Sequence, residues 1–427
     1  MTSGDPATGG TGSSRVLPVL RDGAGLSETA VREYVSAALA GLRLDGRSLC
    51  VVVPDSTRSC PLPLFLSALH DAVADRVSAL TVLIALGTHP PMTGPQLEAH
   101  LGALPKATVR NHEWWDPAAL VEIGTLSSET VREVTEGRLA ESVRVRINRN
   151  VVAHDVALVV GPVFPHEVVG FSGGNKYFFP GVAGPEIIDL SHWLGALIGS
   201  GTIIGTGHTP VRALIDRAAA LIPAERHCLA SVVASGGSEV TALTFGTPER
   251  AWQQAAEVSA RAHVRYLDAP VRRVVSLVSQ RYDEIWTAAK GMYKVEPVVA
   301  DGGEVVLYAP HVTELSRTHG EHIRAVGYHT MPYFTGQPER FDDVPRGVLA
   351  HSTHLRGQGT WDPERGESGR ISVTLATGIS ERLTREVGLG YLDPAAVDIA
   401  AAERDPDTLV VPDAGEILYR LGTPALR

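Results

Sequence analysis

Short apolar runs alternate with amphipathic segments along the first part of the chain. Residues 48–53 and 79–86 are apolar runs that predict buried strands, and each is followed by a polar loop. Residues 27–42, with Ser27 as the helix-capping residue, and residues 61–75 have the apolar spacing of helices. This alternation predicts an α/β domain with a parallel sheet. Ligand-handling residues in such sheets lie just beyond the carboxyl ends of strands, so both polar loops are candidate site segments.

A third apolar run, residues 156–160, leads into the long segment 161–185. Ten of the 25 residues in that segment are Gly or Pro, which predicts an irregular loop. Long loops in compact domains are usually functional or disordered, and this one is too aromatic for disorder. Helical spacing resumes at 185–198 and again at 248–262. The aromatic residues of the loop are Phe164, Phe171, Tyr177, Phe178 and Phe179.

The α/β pattern restarts after residue 268, in the segment Asp268-Ala269-Pro270. Apolar runs at 271–278 and 304–309 predict strands, with a helix around 283–293 between them. The sequence therefore predicts two α/β domains with mainly parallel sheets. The predicted segments are a disordered Gly/Ser/Thr-rich tail at 1–14, an N-terminal α/β domain at 15–268 and a C-terminal α/β domain at 269–427.

The composition narrows the cellular setting and the class of partner. The chain has 427 residues and a formal net charge of -10, which argues against a protein that grips nucleic acid through its phosphates. Three cysteines without a Cys-x-x-Cys pair indicate a reducing compartment. No apolar run approaches the ~20 residues that span a bilayer, and the N-terminus lacks the apolar stretch of a signal peptide. We therefore expect a cytoplasmic protein with no nucleic-acid partner and no membrane partner.

The Gly-rich loop and the segment after it concentrate reactive side chains. His166 and Lys176 lie in the loop, and His192 follows sixteen residues after the lysine. Only four of the 38 basic residues are lysines, and a lysine amine can lose its proton and be acylated, whereas an arginine cannot. Each feature also has a structural interpretation, since Gly173-Gly174 alone indicates a tight turn and a single histidine is more often structural than a ligand. The combination is what favours chemistry here.

The chain contains the segment His166 to Val182, the Asp55-x-Thr57-Arg58 loop and the Gly87-Thr88-His89 loop. Together these three segments resemble the lactate racemase family, which uses a nickel-pincer nucleotide. The resemblance runs from about residue 20 to the C-terminus. It implies an isomerase that racemises or epimerises a 2-hydroxy acid by moving a hydride to and from the cofactor. The implied partners are a small 2-hydroxy acid and the proteins that make the cofactor.

The resemblance also implies how the cofactor is held. The cofactor is pyridinium-3,5-bisthiocarboxylic acid mononucleotide nickel, bound covalently to Lys176. His192 is then the protein ligand to nickel, and two sulfurs and a ring carbon of the nucleotide complete a set of soft donors that suits nickel(II). None of the cysteines has to be a ligand. The other residues expected to contact the cofactor are Asp55, Ser172, Gly173 and Gly174.

The resemblance assigns the reacting groups as well. His89 and His166 are the general acid and base, and an imidazole with a pKa near 6.5 suits proton transfer in both directions at neutral pH. Arg58 binds the substrate, because a guanidinium can fork to a carboxylate with two hydrogen bonds. Lys290, from the second domain, also contacts the substrate. The active site is then expected in the interdomain cleft, a usual location for pockets.

Two positions depart from the pattern of the family's lactate-handling members. Trp286 and Thr287 stand where those members have Tyr and Gln. Because both side chains are expected to be substrate-binding, the change predicts a 2-hydroxy acid other than lactate. Trp361 and the pair His351 and His354 have no role that the sequence assigns.

Two other functions stay open. One is a metal-assisted hydrolase or lyase that uses the 16 histidines differently, although the chain has no His-Glu-x-x-His cluster. The other is a non-catalytic homologue that binds a small acid or a nucleotide, although a binder needs no acid and base together. The sequence leaves both the substrate and the oligomeric state undetermined.

Overall fold

The computed structural model describes residues 16–422, and its largest element is a seven-stranded sheet. Neighbouring strands are parallel, except that Val240–Gly246 runs antiparallel to both of its neighbours. The tail predicted for residues 1–14 lies outside the described residues. In spatial order the strands are Leu17–Arg21, Val240–Gly246, Glu225–Val233, Val156–Pro162, Ser48–Pro54, Ala79–Ala85 and Ala107–Asn111.

Helices cover both faces of this sheet. In the strand Ser48–Pro54, Val51 and Val53 face one apolar cluster, and Cys50 and Val52 face the other. A strand buried on both faces reads as a continuous apolar run, which is why these segments stand out in the sequence. We call the sheet with its helices the first unit. Glu28–Ala40 and Leu62–Val73 pack on one face, and Pro185–Ile198, Pro210–Ala219 and Pro248–His263 pack on the other.

Three central strands of the first unit position the loops that matter for function. Val156–Pro162, Ser48–Pro54 and Ala79–Ala85 are consecutive neighbours and run parallel. Their carboxyl ends therefore lie side by side at one edge of the sheet. The segments that leave this edge begin at residues 163, 55 and 86.

A five-stranded parallel sheet forms the second unit. Its apolar core includes Val274, Val305, Leu307 and Leu375, all fully buried. The first of its strands in the sequence is Val271–Val278. Residues 279–298, which follow this strand, extend toward the first unit and contain two short helices. In spatial order the strands are Gly390–Tyr391, Ser372–Thr377, Val299–Ala309, Val271–Val278 and Thr408–Ala414.

The remaining elements are short. No helix within residues 16–422 is both long and apolar enough to cross a membrane. The other helices are Gly94–Leu101, Ser128–Val134, Arg149–Ala153, Ser200–Ile203, Ile285–Ala288, Lys290–Tyr293, Gly320–Val326, Met331–Thr335, Arg346–Ser352, Glu381–Glu386 and Ile399–Arg404. The two-stranded pairs are Leu120–Leu126 with Val143–Asn148, Pro165–His166 with Gly170–Phe171, Val264–Leu267 with Leu418–Leu421, and Gly359–Asp362 with Gly366–Gly369.

The C-terminal segment ties the two units together. Leu418–Leu421 pairs in parallel with Val264–Leu267, which directly follows the last helix of the first unit. Just before this strand, the buried Glu416 accepts hydrogen bonds from the backbone amides of Ser59, at 3.3 Å, and Gly236, at 2.8 Å. One carboxylate of the second unit therefore satisfies two amides of the first.

Two α/β units with mainly parallel sheets confirm the predicted fold class. The predicted helix 27–42 is observed as Glu28–Ala40, and its cap Ser27 accepts from the amide of Ala30. The domain boundary near residue 268 stays a prediction.

Two local predictions need correction. The single helix expected around 283–293 is wrong, since two short helices meet there. The helices are Ile285–Ala288 and Lys290–Tyr293, and Ala289 lies between them. The loop 161–185 is less irregular than expected, because it contains the pair Pro165–His166 with Gly170–Phe171 and a 3₁₀ turn at Gly174–Tyr177.

Candidate active site

A cavity of about 110 Å³ lies between the two units. The first unit lines it with residues that follow the three central strands and with part of the helix Pro185–Ile198. The second unit lines it from the short helices after residue 284 and from residues at the end of the helix Arg346–Ser352. The predicted site residues that line this cavity are Asp55, Arg58, His89, His166, Ser172, Gly173, Lys176, His192, Trp286 and Lys290.

The structure does not bring Gly174 and Thr287 to the cavity. Gly174 has a φ of +59° and packs on Trp252, so its role is in the packing of the loop. The Thr287 side chain is buried and its hydroxyl is committed to the Glu284 carbonyl at 3.1 Å, so it is not free to contact a substrate. Trp361, which the sequence left without a role, packs instead beside Tyr333, with 6.3 Å between ring centroids.

Arg212 and Trp252 hold the Gly-rich loop in place. The buried Arg212 guanidinium donates to the carbonyls of Phe171 and Gly173, and it lies 4.1 Å from the centroid of the Trp252 ring. The Trp252 indole donates to the Ser172 carbonyl at 3.0 Å. Sequence reasoning missed both residues, because each lies in an amphipathic helix where an isolated Arg or Trp carries no signal.

Ser172 also serves the loop itself. Its hydroxyl accepts from the Phe164 amide at 2.9 Å and donates to the Pro162 carbonyl at 3.3 Å. Both of these hydrogen bonds close the loop, and the residue also lines the cavity.

Asp55 and His89 form a carboxylate–imidazole pair at the sheet edge. His89 Nδ1 lies 2.5 Å from Asp55 Oδ2, and the Thr57 amide and hydroxyl donate to the other carboxylate oxygen. Burial raises the pKa of Asp55, but the His89 charge and the hydrogen bonds from His89 and Thr57 outweigh it and hold that pKa well below its usual range. Because the carboxylate only accepts, His89 carries its proton on Nδ1 and leaves Nε2 able to accept one.

His166 has the complementary arrangement. Its Nδ1 accepts a hydrogen bond from the Val168 amide at 3.2 Å, so the neutral ring carries its proton on Nε2. The Glu167 carboxylate lies 3.3 Å from the same Nδ1. Burial lowers the pKa of His166 well below its usual range, although the Glu167 charge opposes the shift. In their neutral forms the two histidines therefore hold their ring protons on different nitrogens, Nδ1 in His89 and Nε2 in His166.

His192 is prepared to act as a neutral ligand. It projects from the helix Pro185–Ile198, and its Nδ1 donates to the Ile188 carbonyl at 2.7 Å. This bond fixes the tautomer and leaves the Nε2 lone pair free, as in histidines that bind metals. Burial lowers the pKa of His192 to about 4, so the ring is uncharged at neutral pH.

The Lys176 amine is prepared to act as a nucleophile. The side chain lines the cavity from the 3₁₀ turn Gly174–Tyr177. Burial, with a further contribution from the Arg58 charge, lowers the pKa of Lys176 to about 7. A substantial fraction of the amine is therefore unprotonated at neutral pH, which acylation requires.

Arg58 and Lys290 are the two basic side chains that face the cavity beside Lys176. Both line the cavity, and within residues 16–422 neither head group hydrogen-bonds or ion-pairs with a carboxylate. Lys290 Nζ lies 4.5 Å from the centroid of the Tyr282 ring, and burial lowers the pKa of this lysine to about 7. A guanidinium and an amine facing one cavity are suited to bind a small carboxylate.

Sequence reasoning missed Glu167 and Tyr293, which line the same cavity. Burial raises the pKa of Glu167, but the charges of His166 and His354 outweigh it, so that pKa lies well below its usual range. Burial, with a further contribution from the Glu167 charge, raises the pKa of Tyr293 well above its usual range. The available signals were positional, since Glu167 follows His166 directly and Tyr293 lies three residues after Lys290. His351 and His354, which the sequence left open, also line the cavity.

Protein side chains alone do not make a metal site in the described part of the chain. No three His, Cys, Asp or Glu side chains within residues 16–422 are placed to hold one ion. A hydrolase or lyase whose metal is held by several protein ligands is therefore disfavoured. A metal with one protein ligand and its other donors on a cofactor is compatible with this geometry.

Comparisons with known proteins agree with the resemblance. Residues 16–202 match the model of the lactate racemase N-terminal domain. A Thermotoga maritima protein of known crystal structure is 34% identical, with a TM-score of 0.88, over 94% of this chain and 100% of that chain. The chain belongs to the lactate racemase family. The lactate racemase apoprotein of Thermoanaerobacterium thermosaccharolyticum shares the fold, with a TM-score of 0.69 at 21% identity over 93% of each chain.

Similarity to curated lactate racemases covers only part of each sequence. The Thermoanaerobacterium thermosaccharolyticum enzyme is 25% identical over 269 residues, and the Lactiplantibacillus plantarum enzyme is 24% identical over 273 residues. These matches span 60% of the length of each relative. Membership in the lactate racemase family therefore leaves the substrate to be argued from the cavity.

Replacing Gly174 with Ala should destabilise the protein more than replacing Gly87 with Ala. Both glycines have positive φ, 59° and 58°, so both substitutions strain the backbone by about 1–2 kcal/mol. At Gly174 an added Cβ would also lie 2.7 Å from Trp252 Cβ, and overpacking adds about 1–3 kcal/mol. At Gly87 an added Cβ meets no described atom within 4 Å. Urea unfolding measures both losses, and equal losses would contradict the packing role of Gly174.

Proposed function

We propose that this protein is a racemase or epimerase of a small 2-hydroxy acid that works with a nickel-pincer nucleotide attached to Lys176. One observation carries the proposal. In a chain of the lactate racemase family, one cavity is lined by the Lys176 amine, whose pKa is lowered, and by the neutral His192 imidazole with a free Nε2. The same cavity is lined by His89 and His166, whose neutral rings hold their protons on different nitrogens. A non-catalytic binding protein has no need of this combination.

The residues present fit the cofactor. Lys176 supplies an unprotonated amine for the covalent bond, and His192 supplies one neutral nitrogen ligand where the described chain offers no cluster of protein ligands. When bound, the nucleotide supplies sulfur donors for nickel and a pyridinium ring that can accept and return a hydride. Gly173 and Ser172 also line the site. The Ser172 hydroxyl hydrogen-bonds within the loop, so these two residues contribute through the shape of the loop backbone. The predicted contact with Gly174 is not proposed.

Arg58 and Lys290 bind and orient the substrate. They approach from different units, and both lack a carboxylate partner within the described residues. The substrate carboxylate would pair with these two groups, which keeps C2 and its hydroxyl at a fixed position in the cavity. Trp286, rather than Thr287, is the nearby residue that would contact the rest of the substrate.

His89 and His166 move the hydroxyl proton. His89 Nε2 accepts it in one direction, and the resulting imidazolium is stabilised by Asp55, which acts as a positioning residue. His166 returns a proton to the opposite face of the planar keto acid from its imidazolium form, and the ring becomes neutral as it gives that proton up. Catalysis in the reverse direction exchanges the two roles, as racemisation requires. Because a sulfur-bearing nucleotide must be made before it is attached, cofactor-synthesis proteins are the expected partners.

Lys176 is expected to carry a nucleotide-sized adduct when the chain is produced together with the cofactor-synthesis proteins. Intact mass should exceed the sequence mass, and Lys176→Arg should remove the excess because a guanidinium is not acylated. Lys290→Arg is the matched control, since burial lowers the pKa of that lysine to about 7 as well. An adduct that persists in Lys176→Arg, or disappears in Lys290→Arg alone, would contradict the tether.

His192→Ala is expected to retain the adduct and lose nickel, because its free Nε2 is the proposed protein ligand. His89→Ala and His166→Ala are the controls, which should retain both adduct and metal but lose turnover. Intact mass and elemental analysis of the same samples separate these outcomes. Unchanged nickel content in His192→Ala would reject the assignment.

The C2 hydrogen is expected to return to carbon without exchange with solvent. A buried imidazole is a poor base for a C–H bond beside a carboxylate, since burial lowers the pKa of His166 well below its usual range. The histidines can take the more acidic hydroxyl proton instead. Product formed in deuterated water and analysed by NMR should keep hydrogen at C2. Substantial C2 deuteration during turnover would overturn both the mechanism and the role of this histidine pair.

A further inference from the structure

Three polar side chains in the cavity are used by none of the proposed steps. Glu167, His351 and His354, which we call the Glu167 subsite, line the cavity beside Trp286. The His351 ring stacks on Trp286, with 3.7 Å between centroids and 17° between planes, and the His354 ring lies 5.3 Å away. All three residues are largely buried, so their polar atoms depend on the protein or a ligand for partners.

The subsite is incompletely satisfied within the protein. His351 Nε2 is buried and has no hydrogen-bond partner among the described residues. Leaving a buried polar atom unpaired typically costs enough to be rare in folded proteins. Stacking on the Trp286 ring holds the His351 ring beside the cavity.

The charges of the subsite restrict what it can bind. The pKa of Glu167 lies well below its usual range, because the surrounding basic groups His166, His354 and Lys290 outweigh the effect of burial, and an ionised carboxylate can only accept hydrogen bonds. Burial lowers the pKa of both His351 and His354, so each ring is neutral and can donate as well as accept. The subsite therefore offers one anionic acceptor and two neutral imidazoles.

Three kinds of substituent can be compared against this set. A methyl group, as in lactate, would leave the Glu167 carboxylate and the imidazoles without a ligand partner. A second carboxylate would face the charge of Glu167, and an ammonium group would face Arg58 and Lys290. A hydroxyl group donates to the carboxylate and accepts from an imidazole without adding charge.

We infer that the substrate is a 2-hydroxy acid with at least one further hydroxyl group beyond C2, which the Glu167 subsite binds. The inference rests on the proposed function and adds the substrate class. Glu167, His351 and His354 are then specificity-determining residues. Trp286 stands where the family's lactate-handling members have Tyr, and its indole stacks on the His351 ring of the Glu167 subsite. We therefore connect this change in sequence with the same substrate preference.

The test uses three acids with the same number of carbons. These are 2-hydroxybutanoate, 2,3-dihydroxybutanoate as both C3 epimers, and malate, which place a methylene, a hydroxyl and a second carboxylate beyond C2. The enzyme is produced with the cofactor-synthesis proteins, and its adduct is verified by intact mass. We expect kcat/KM for one dihydroxy epimer to exceed that for 2-hydroxybutanoate and malate by about tenfold or more.

Two variants test whether the subsite causes the preference. Glu167→Gln keeps the shape and removes the charge, and His351→Phe keeps a ring for Trp286 and removes both nitrogens. Each should bring the ratio of dihydroxy to monohydroxy kcat/KM down by about fivefold or more. The ratio is the informative quantity, because a general defect beside His166 lowers both rates together. Glu367→Gln is the control, since that carboxylate lies 2.8 Å from His329 Nδ1 and does not line the cavity.

The possible outcomes separate the inference from the function it rests on. A preference for 2-hydroxybutanoate or malate, or a ratio unchanged in both subsite variants, overturns the substrate class and leaves the racemase proposal standing. Absence of turnover with all three acids and with lactate, in protein that carries the adduct, contradicts the proposed function itself. A preference for the dihydroxy acid that falls in the variants but not in Glu367→Gln supports the inference.

Discussion

The parallel pairing of three neighbouring strands determines where the candidate catalytic groups of the first unit can lie. Ser48–Pro54 pairs with Ala79–Ala85 on one side and with Val156–Pro162 on the other, so the three chains leave the sheet at one edge. Asp55, His89 and His166 are far apart in sequence, yet each follows one of these strands. The short hydrogen bond between Asp55 and His89 is possible only because the pairing brings their loops together.

Burial of ionisable groups is the second organising feature. Desolvation lowers the pKa of Lys176 to about 7 and that of His192 to about 4, so an amine and an imidazole are kept uncharged in forms that can bond to a cofactor. The same burial is unfavourable for stability unless other contacts offset it. These contacts include the hydrogen bonds that Arg212 and Trp252 donate to carbonyls of the Gly-rich loop, and the packing of Arg212 on the Trp252 ring.

The sequence predicted the elements whose signal is local. The helix Glu28–Ala40 with its cap Ser27, the strand Val271–Val278 and the valine-rich central strands follow from apolar spacing alone. It also predicted most of the residues around the cavity, through a family resemblance rather than through physics. Glu167 and Tyr293 escaped notice because only the folded chain places them beside the cavity. The sequence also predicted Thr287 and Gly174 as site residues, but neither lines the cavity. Tertiary packing decides whether a residue faces a cavity or the rest of the protein, and that packing is not visible in the sequence.

Glu416 links the substrate-facing groups to the junction of the two units. It bonds to the amide of Ser59, which directly follows Arg58, and its own carbonyl accepts from Lys294, four residues after Lys290. Arg58 and Lys290, the two basic residues proposed to bind the substrate, are therefore close in sequence to residues that hydrogen-bond to Glu416. The consequence is mechanical: the relative positions of Arg58 and Lys290 depend on the packing of a C-terminal segment that itself lies outside the cavity.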